Sequence, residues 1–310
     1  MKGLDSIVQS VPYAAQIGTS KWRRLLVASL FLLPAFVFLI VFVYLPTILA
    51  FLLAFFNYSP GGTTTWAGTS NFAQAVSDPV FQLSLGNSLY YAAMIVPLTL
   101  LFSVAIALLI AKTSRIYSFL RTLILMPYVT PTIGTAIGWL WMYNPSYGFM
   151  NALLSFFHLP VSQWLASPSM AMPAIVIYSL WHGIGFDVII VLTAITGLPQ
   201  GVLEAADLDG ARFFRKLFTI IIPLISPTLF FITVVTTIGS FQSFSQMFAL
   251  STGSGGPEYA TTTTLFLIYQ TAFKYGNFSY AAAMAIFLVL GIFALTMLLR
   301  WIGNRVVFYQ

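Results

Sequence analysis

The sequence predicts an all-α membrane protein with six transmembrane helices and with both termini in the cytoplasm. Three observations support this prediction: an apolar composition, six long apolar segments and an uneven distribution of cations. Of the 310 residues, 59% are hydrophobic and 6% are charged, whereas soluble domains are near half apolar and a quarter charged. So few charges could not cover the surface of a water-soluble protein. The chain is therefore expected to lie in a bilayer.

Six apolar segments follow one another along the chain, and each is long enough to cross roughly 30 Å of hydrocarbon. Turn-rich stretches such as NYSPGGTTTWAGTSN and STGSGGPEY separate them. A transmembrane β-barrel is excluded, because the runs are continuous and do not alternate as barrel strands do. The segments cover approximately residues 25–56, 84–111, 119–143, 171–196, 217–249 and 280–301.

The first segment, with Pro34 and Pro46 inside it, is long enough for two helices, and the cations decide between one and two. With one helix there, 12 cations lie in the cytoplasm and Lys274 alone lies outside. Two helices there would place 8 cations in the cytoplasm and 5 outside. Cytoplasmic loops carry the excess of Lys and Arg, so the sequence favours one helix. The chain then divides into a cytoplasmic segment at 1–24, a six-helix transmembrane domain at 25–301 and a cytoplasmic tail at 302–310.

Composition and motifs exclude several functional classes. The chain has no cysteine, so it has no disulfide, thiolate metal site or catalytic thiol. Its net charge of +6 does not indicate a nucleic-acid partner, because the cations form short clusters beside apolar runs. His158 and His182 have no third ligand at a suitable spacing, which argues against a metal site. The sequence shows neither a catalytic constellation nor a GxxxxGK[ST] phosphate loop, so we predict a chain that is not an enzyme.

The predicted cytoplasmic loop at about residues 198–217 holds six of the 20 charged residues within 13 positions. Pro199 ends the preceding span. The residues from Leu203 to Leu208 favour a short helix, and Gly210 suits the left-handed turn that would end it. Asp209 is predicted to cap a second, amphipathic helix leading into the bilayer.

A solvated loop that carries topogenic charge would explain the cations of this stretch. It would not explain the paired alanines beside Glu204 or the glycine six positions later. Small residues allow another backbone to approach closely, and the flanking acids can pair with cations on a partner. The loop is therefore interpreted as a docking surface.

The stretch EAADLDGARFFRKLFTIIIP resembles the EAA loop of inner-membrane permeases in binding-protein-dependent ABC importers. It meets the family pattern of Glu-Ala-Ala, three residues, Gly, nine residues and Ile-x-Leu-Pro, except that Ile222 replaces the leucine. Four further segments are similar to the carbohydrate branch, which includes the maltose and glycerol-3-phosphate permeases. These are LMPYVTP, NPSYGFMNALL, WHGIGFDVIIVLTAITGLP and TGSGGPEYATTTTLFLIYQTAF. The resemblance covers roughly residues 25–300 and implies the type I fold of ABC importer permeases.

The resemblance implies that a short helix of this loop sits in a groove of a separate cytoplasmic ATPase and transmits its closure to the spans. ATP and Mg²⁺ would be bound by that ATPase dimer, and this chain would bind no cofactor. The other implied partners are a second, usually different, permease subunit and a periplasmic or lipid-anchored solute-binding protein. The chain would lie in the cytoplasmic (inner) membrane of a bacterium or archaeon. The implied docking residues are Glu204, Ala205, Ala206, Asp207, Asp209, Gly210 and Ala211.

A substrate path is expected where polar groups lie inside the spans, because such groups are costly in lipid. Asp187 is the one acid within a predicted span, so it should face a wet cavity or a partner such as His182. Pro127 and Pro131 either kink the third helix or free carbonyls that need polar company. The fifth segment carries a polar stripe whose hydroxyls could equally bond to their own helix. The stripe comprises Thr233, Thr236, Thr237, Ser240, Gln242, Ser243 and Gln246.

The resemblance also implies, by position, a set of substrate-binding residues. Amides and hydroxyls pair with sugar hydroxyls, and a tyrosine ring can stack on a sugar face. The polar run before Gly-Gly-Pro has glutamine and serine where maltose-type chains have asparagines, so the identity of the sugar does not carry over. The implied residues are Tyr128, Thr132, Gly185, Asp187, Gln242, Ser243 and Gln246.

These observations predict the permease subunit of an ATP-driven importer for a sugar, an oligosaccharide or a sugar-like polyol. A permease for amino acids, phosphate or peptides is the alternative within the same class. An ATP-independent secondary transporter or channel is the alternative from another class. The docking loop argues against the latter, since such a protein has no reason to present a docking helix.

Overall fold

The computed structural model describes residues 21–58, 61–112 and 114–307. Residues 1–20 of the predicted amino-terminal segment and residues 308–310 of the predicted tail therefore lie outside the described residues. The described chain is mostly helical. Within the described residues it consists of two compact units, which are divided after Leu52.

The first unit contains nearly all of helix α1, Lys21–Leu53. Pro34 lies inside this helix without ending it, and a π-helical turn at Ile40–Tyr44 comes shortly before Pro46. Proline has no N–H group to donate to the carbonyl four residues earlier, and the wider turn accommodates the missing bond. The described side chains of residues 21–52 are all exposed. The first predicted segment therefore forms one helix whose apolar side chains suit a lipid environment.

The second unit begins with an antiparallel hairpin of strands β1, Phe56–Asn57, and β2, Thr65–Trp66. Helix α2, Ser70–Ser77, follows the hairpin. The buried side chain of Asn71 donates from Nδ2 to the carbonyl of Ala54 at 2.9 Å and to that of Phe56 at 3.0 Å. This amide joins α2 to the residues at the start of the hairpin.

Helix α3, Pro79–Leu109, is the next long helix. Asp78 caps it, because its Oδ1 accepts the N–H of Val80 at 2.8 Å and so satisfies a donor of the first turn. The Oδ2 of Asp78 accepts the hydroxyl of Tyr280 at 2.6 Å. One carboxylate therefore caps α3 and also joins it to the carboxyl-terminal part of the chain.

The third predicted segment is a bent pair of helices, α4 (Arg115–Val129) and α5 (Thr132–Met142), which meet at 97°. Thr130, at the bend, is extended with ψ of 149°, as expected for a residue that precedes a proline. Pro131 then begins a new helix direction, because it has no N–H group with which to continue α4. The two prolines thus accompany a complete break and not a mild kink.

The fifth predicted segment is also a bent pair, formed by α9 (Phe213–Leu224) and α10 (Ser226–Phe241), with an angle of 69° between the two helices. The remaining helices are α6 and α7 before the short helix α8, and α11 to α13 after the second bent pair. Their bounds are Phe149–Phe156 for α6, Pro168–Thr196 for α7, Gln200–Leu208 for α8, Phe213–Leu224 for α9, Ser226–Phe241 for α10, Ser245–Leu250 for α11, Thr264–Tyr269 for α12 and Phe278–Val306 for α13.

Four of the described helices are long and apolar enough to cross a membrane, and the number rises to six if each bent pair is one span. The four are α1, α3, α7 and α13, and they fall on the first, second, fourth and sixth predicted segments. The bent pairs fall on the third and fifth. By length and composition, the described part of the chain therefore has four to six candidate spans.

The two largest of five apolar clusters among the described residues of the second unit lie along α7. One contains the buried side chains of Tyr143, Tyr178 and Phe266 from the regions of α5, α7 and α12. The other contains Val188 of α7 and Ile221 of α9, together with the end of α3. In a bilayer such clusters are stabilised by close packing more than by the exclusion of water. The cores position the polar cavity that lies along α7.

Candidate functional site

The charged loop forms a short helix that ends at a left-handed glycine, as predicted. Gly210 follows α8 with φ of +68°, a value that strains residues with a Cβ. The N–H of Ala211 donates to the carbonyl of Ala206 at 3.0 Å, and that of Gly210 to the carbonyl of Asp207 at 3.0 Å. These two bonds define a Schellman motif. The space around Gly210 is open, since a Cβ there would meet no other atom within 4 Å.

Asp209 does not cap the second helix, and that prediction was wrong. Asp209 is the C-cap of α8, whereas the N-cap of α9 is Arg212, whose side chain makes no capping bond. The Schellman turn needs Gly210 and Ala211 to reverse the chain. The start of α9 therefore lies beyond the reach of the Asp209 side chain.

The loop presents most of its predicted docking residues to the surroundings. Leu208 is 90% exposed, the largest exposed fraction among the large apolar side chains that the structure describes. It was not among the predicted docking residues, although an apolar residue between two aspartates is a sequence signal for a residue that contacts a partner. Asp207 forms an ion pair with Lys216 of α9, which ties the two helices together. Glu204, Ala205, Asp207, Asp209 and Gly210 are exposed, Ala211 is half-buried and Ala206 is buried.

A cavity of about 370 Å³ lies among α3, α4, α5, α7, α10 and α11. All of these elements except α3 carry residues that the sequence marked as polar features of the spans. The cavity brings together five of the seven predicted substrate-binding residues, namely Tyr128, Thr132, Asp187, Ser243 and Gln246.

The corner between α4 and α5 forms one wall of the cavity. His182 of α7 has its Nε2 at 3.2 Å from the carbonyl oxygen of Thr130. The hydroxyl of Tyr178, also on α7, donates to the carbonyl of Thr132 at 2.7 Å. The carbonyl that Pro131 frees is that of Pro127, and it accepts the hydroxyl of Thr130 at 2.5 Å, in keeping with the polar company expected for such carbonyls. No described bond joins His182 to Asp187, so the pairing considered for these two side chains is not formed.

Tyr128 and Phe186 form a flat aromatic surface at the cavity. Their ring centroids are 5.0 Å apart and their planes differ by 15°, an offset stack of the favoured kind. The rings are 45% and 41% exposed. Asp187, the next residue, is half-buried and lines the cavity. It makes no hydrogen bond or ion pair with another residue that the structure describes, so its carboxylate is available to a ligand.

Ser243 and Gln246 lie at the break between α10 and α11. Gln246 Nε2 donates to Ser243 Oγ and to the hydroxyl of Tyr91 at 3.3 Å. The amide nitrogen is thereby engaged, and the Oε1 of Gln246 is left to accept a bond from a ligand. Gln242, by contrast, is exposed and lies outside the cavity lining.

Gly185 also lies outside the cavity lining, at the contact between α7 and α4. A Cβ at this position would clash with the carbonyl oxygen of Ile124 and lie 2.9 Å from the Cα of Leu125. The glycine thus lets two helix backbones approach closely, as small residues do in membrane helices. Its contact with a substrate stays a prediction.

The polar stripe of the fifth segment divides between two roles. The hydroxyl of Thr237 donates to the carbonyl of Thr233 at 2.7 Å, and that of Thr233 to the carbonyl of Leu229 at 2.8 Å. Ser240 likewise donates to its own helix at the carbonyl of Thr237, at 2.7 Å. The interpretation that these hydroxyls bond to their own helix is confirmed. Thr236, in contrast, lines the cavity.

Sequence reasoning missed the contribution of α3 and part of that of α7. Tyr91 is 3% exposed and follows a second tyrosine, Tyr90, in a long span, so nothing in the sequence marked it as a cavity residue. Ser179 has a buried Oγ with no hydrogen-bond partner among the described residues, which indicates a place for a ligand or a water. The further lining residues are Ile95, Thr99, Tyr178, His182, Gly183, Ile184, Phe186, Val235, Gly239 and Ser240.

Comparisons with known proteins identify relatives over most of the chain. The family described as binding-protein-dependent transport system inner membrane component matches residues 103–308. A probable ABC transporter permease protein of Pyrococcus horikoshii is 31% identical over 84% of this chain and 90% of that protein. The sn-glycerol-3-phosphate transport system permease protein UgpA of Yersinia pestis is 31% identical over 81% and 84%. The lactose transport system permease protein LacF of Rhizobium radiobacter is 29% identical over 87% and 91%.

Among solved structures, a chain of a bacterial alginate ABC transporter has the same fold, with a TM-score of 0.79. That structure is a complex with an alginate pentasaccharide-bound periplasmic protein, and the match covers 91% of this chain and 96% of that chain at 21% identity. The family match over residues 103–308 and the relative that is 31% identical over most of both chains agree. They show that this chain belongs to the family of binding-protein-dependent transport system inner membrane components.

Proposed function

We propose that this chain is a permease subunit of an ATP-driven importer that moves a sugar, an oligosaccharide or a sugar-like polyol across the inner membrane. The observation that carries the proposal is the cavity at the bend of α4 and α5. It combines a flat aromatic surface, hydroxyls, an amide and the unpaired carboxylate of Asp187. Relatives named for sn-glycerol 3-phosphate and for lactose support this substrate class.

In this proposal each bent pair is one span, so the chain crosses the membrane six times with both termini in the cytoplasm. The distribution of cations supports this orientation. This orientation places the loop of α8 in the cytoplasm and the segment 251–263 on the outer side of the membrane. Since six helices are too few to enclose an alternating-access cavity, a second permease subunit completes the path, and a binding protein delivers the substrate from outside.

The ATPase dimer docks on α8 in this proposal. Glu204 and Ala205 are exposed, and Leu208 offers an apolar side chain to a groove on the partner. The open space at Gly210 supports close approach of the partner chain, and the ion pair of Asp207 with Lys216 supports transmission of its movement to α9. ATP and Mg²⁺ belong to the ATPase, and this chain takes part in transport without catalysis.

A single-cysteine crosslinking experiment tests the docking, because the chain has no cysteine of its own. The variant Leu208→Cys, labelled with a thiol-reactive photocrosslinker in the membrane, should form an adduct with a subunit that hydrolyses ATP. Tyr147→Cys is the matched control, since Tyr147 is 74% exposed on the predicted outer side. Adducts of the ATPase with both cysteines, or with neither, would refute the docking. ATP-dependent uptake of labelled sugar by the reconstituted assembly tests the transport.

A further inference from the structure

The cavity has one formally charged side chain among its described lining residues, the carboxylate of Asp187. No lysine or arginine lines it within the described chain. His182 has its Nε2 at 3.2 Å from the carbonyl oxygen of Thr130, so this nitrogen is engaged by the backbone. With histidine counted as neutral, the formal charge of the described lining side chains is negative.

One backbone group opposes this charge, the N-terminus of α5. This helix begins at Thr132 on the cavity wall, and a helix N-terminus is equivalent to about half a positive charge. The full charge of Asp187 outweighs it. Proteins usually bind phosphate and carboxylate groups with arginine or lysine, and the described lining offers neither.

The polar groups that remain suit hydroxyl groups of a ligand. Ser179 Oγ is buried without a partner among the described residues, and the Oε1 of Gln246 is free to accept. A carboxylate such as Asp187 can accept two hydroxyl donors at once. The stacked rings of Tyr128 and Phe186 offer an apolar face to the C–H side of a sugar ring.

We infer that this cavity selects uncharged polyhydroxylated molecules of about the size of a monosaccharide or disaccharide and rejects sugar phosphates and uronates. The inference rests on the proposed function and specifies its substrate class. The volume of about 370 Å³ lies near the lower end of the roughly 300–1,000 Å³ of small-molecule pockets. The inferred substrate is uncharged, as is the lactose in the name of one relative. The glycerol phosphate in the name of another relative is anionic, and so is the acidic polysaccharide of the structural neighbour.

Ligand-dependent shifts in thermal unfolding of the purified transporter complex test this selection without ATP or binding protein. The neutral probes are lactose, maltose and glycerol, and the anionic probes are sn-glycerol 3-phosphate, glucose 6-phosphate and an alginate trisaccharide. The variants are Asp187→Asn, which removes the charge, Asp187→Glu, which keeps it, and Asp187→Arg, which reverses it.

We expect at least one neutral probe and no anionic probe to stabilise the wild type and Asp187→Glu. Asp187→Asn should weaken neutral binding about tenfold, through loss of one charge-assisted hydrogen bond. Asp187→Arg should reverse the preference toward an anionic probe. Two results would overturn the inference and leave the proposed function standing. One is an anionic probe that binds the wild type as tightly as the best neutral probe does. The other is neutral binding that is unchanged in Asp187→Asn. If no probe stabilises any variant, the proposed sugar site itself is refuted.

Discussion

Gly185 on α7 lies so close to Leu125 on α4 that a Cβ at position 185 would be 2.9 Å from the Cα of Leu125. The neighbouring carbonyl of Ile124 is nearer still. Backbone atoms cannot yield as the end of a flexible side chain can. The separation of α4 and α7, and with it the shape of the cavity wall, therefore depends on the absence of one methyl group.

Gly185→Ala should destabilise the protein by about 1–3 kcal/mol, the usual cost of overpacking a filled core. Thermal unfolding of the purified protein in detergent measures this. Gly183→Ala is the matched control on the same helix, because no atom lies within 4 Å of its added Cβ. Replacing a helical glycine by alanine there should leave stability unchanged or raise it by up to about 1 kcal/mol. Equal melting temperatures for the two variants would contradict the packing role of Gly185.

Gly210→Asp should reduce substrate-stimulated ATP hydrolysis and uptake while the protein remains in the membrane. The added side chain occupies the open space at the docking surface, and φ of +68° adds strain of about 1–2 kcal/mol. Gly210→Asn keeps the size of the side chain and removes its charge, and both residues tolerate the left-handed conformation to a similar degree. If Gly210→Asn couples normally, the added charge and not the added bulk explains the defect. If Gly210→Asp itself retains wild-type coupling, the docking role of this turn is wrong.

Two single-cysteine variants test the orientation of the chain. Ser114→Cys and Ser254→Cys each introduce the one cysteine of the chain at an exposed position. A membrane-impermeant maleimide should label Ser254→Cys in intact cells, or in spheroplasts where an outer membrane blocks the reagent. It should label Ser114→Cys, which lies in a predicted cytoplasmic loop away from α8, after permeabilisation. The reverse pattern would invert the proposed topology.

Asn151→Ala should destabilise the segment between α5 and α7 by about 1–3 kcal/mol, the cost of a buried polar group that loses its partner. The Oδ1 of Asn151 accepts the indole N–H of Trp164 at 2.7 Å, and its Nδ2 donates to the carbonyls of Pro145 and Ser162, both at 2.9 Å. Chemical unfolding, followed by tryptophan fluorescence, measures the loss. Asn144→Ala is the control, because Asn144 Oδ1 accepts from exposed turn residues. A smaller loss for Asn151→Ala than for Asn144→Ala would contradict this role.

The apolar runs predicted where the long helices lie, because a span must be apolar over its whole length. They could not predict the angles of 97° and 69° within the third and fifth segments. Pro127 and Pro131 marked the first bend, but a proline in a span can kink a helix or end it. Here the carbonyl of Pro127, which Pro131 leaves without its helical donor, accepts the N–H and the hydroxyl of Thr130. His182 and Tyr178 of α7 then bond to the carbonyls of Thr130 and Thr132. The last two bonds are tertiary contacts, which the local sequence does not encode.

The site was predictable where polar residues stand out against an apolar background, as Asp187, Ser243 and Gln246 do. The sequence could not separate Thr236, which lines the cavity, from Thr237, which bonds to its own backbone. Adjacent residues on a helix point about 100° apart, and the direction of the cavity is set by how the helices pack. The sequence also could not single out Tyr91 from the neighbouring Tyr90, because only the folded chain places Gln246 beside the hydroxyl of Tyr91.

The corner at Thr130 and Thr132 is fastened to α7 through the imidazole of His182 and the hydroxyl of Tyr178. Opening or closing its angle would break two hydrogen bonds in a medium that offers few replacements. We therefore expect the corner and α7 to move together as one rigid body during the transport cycle. Gating would then arise from sliding between this rigid body and α10, and not from flexing at the prolines.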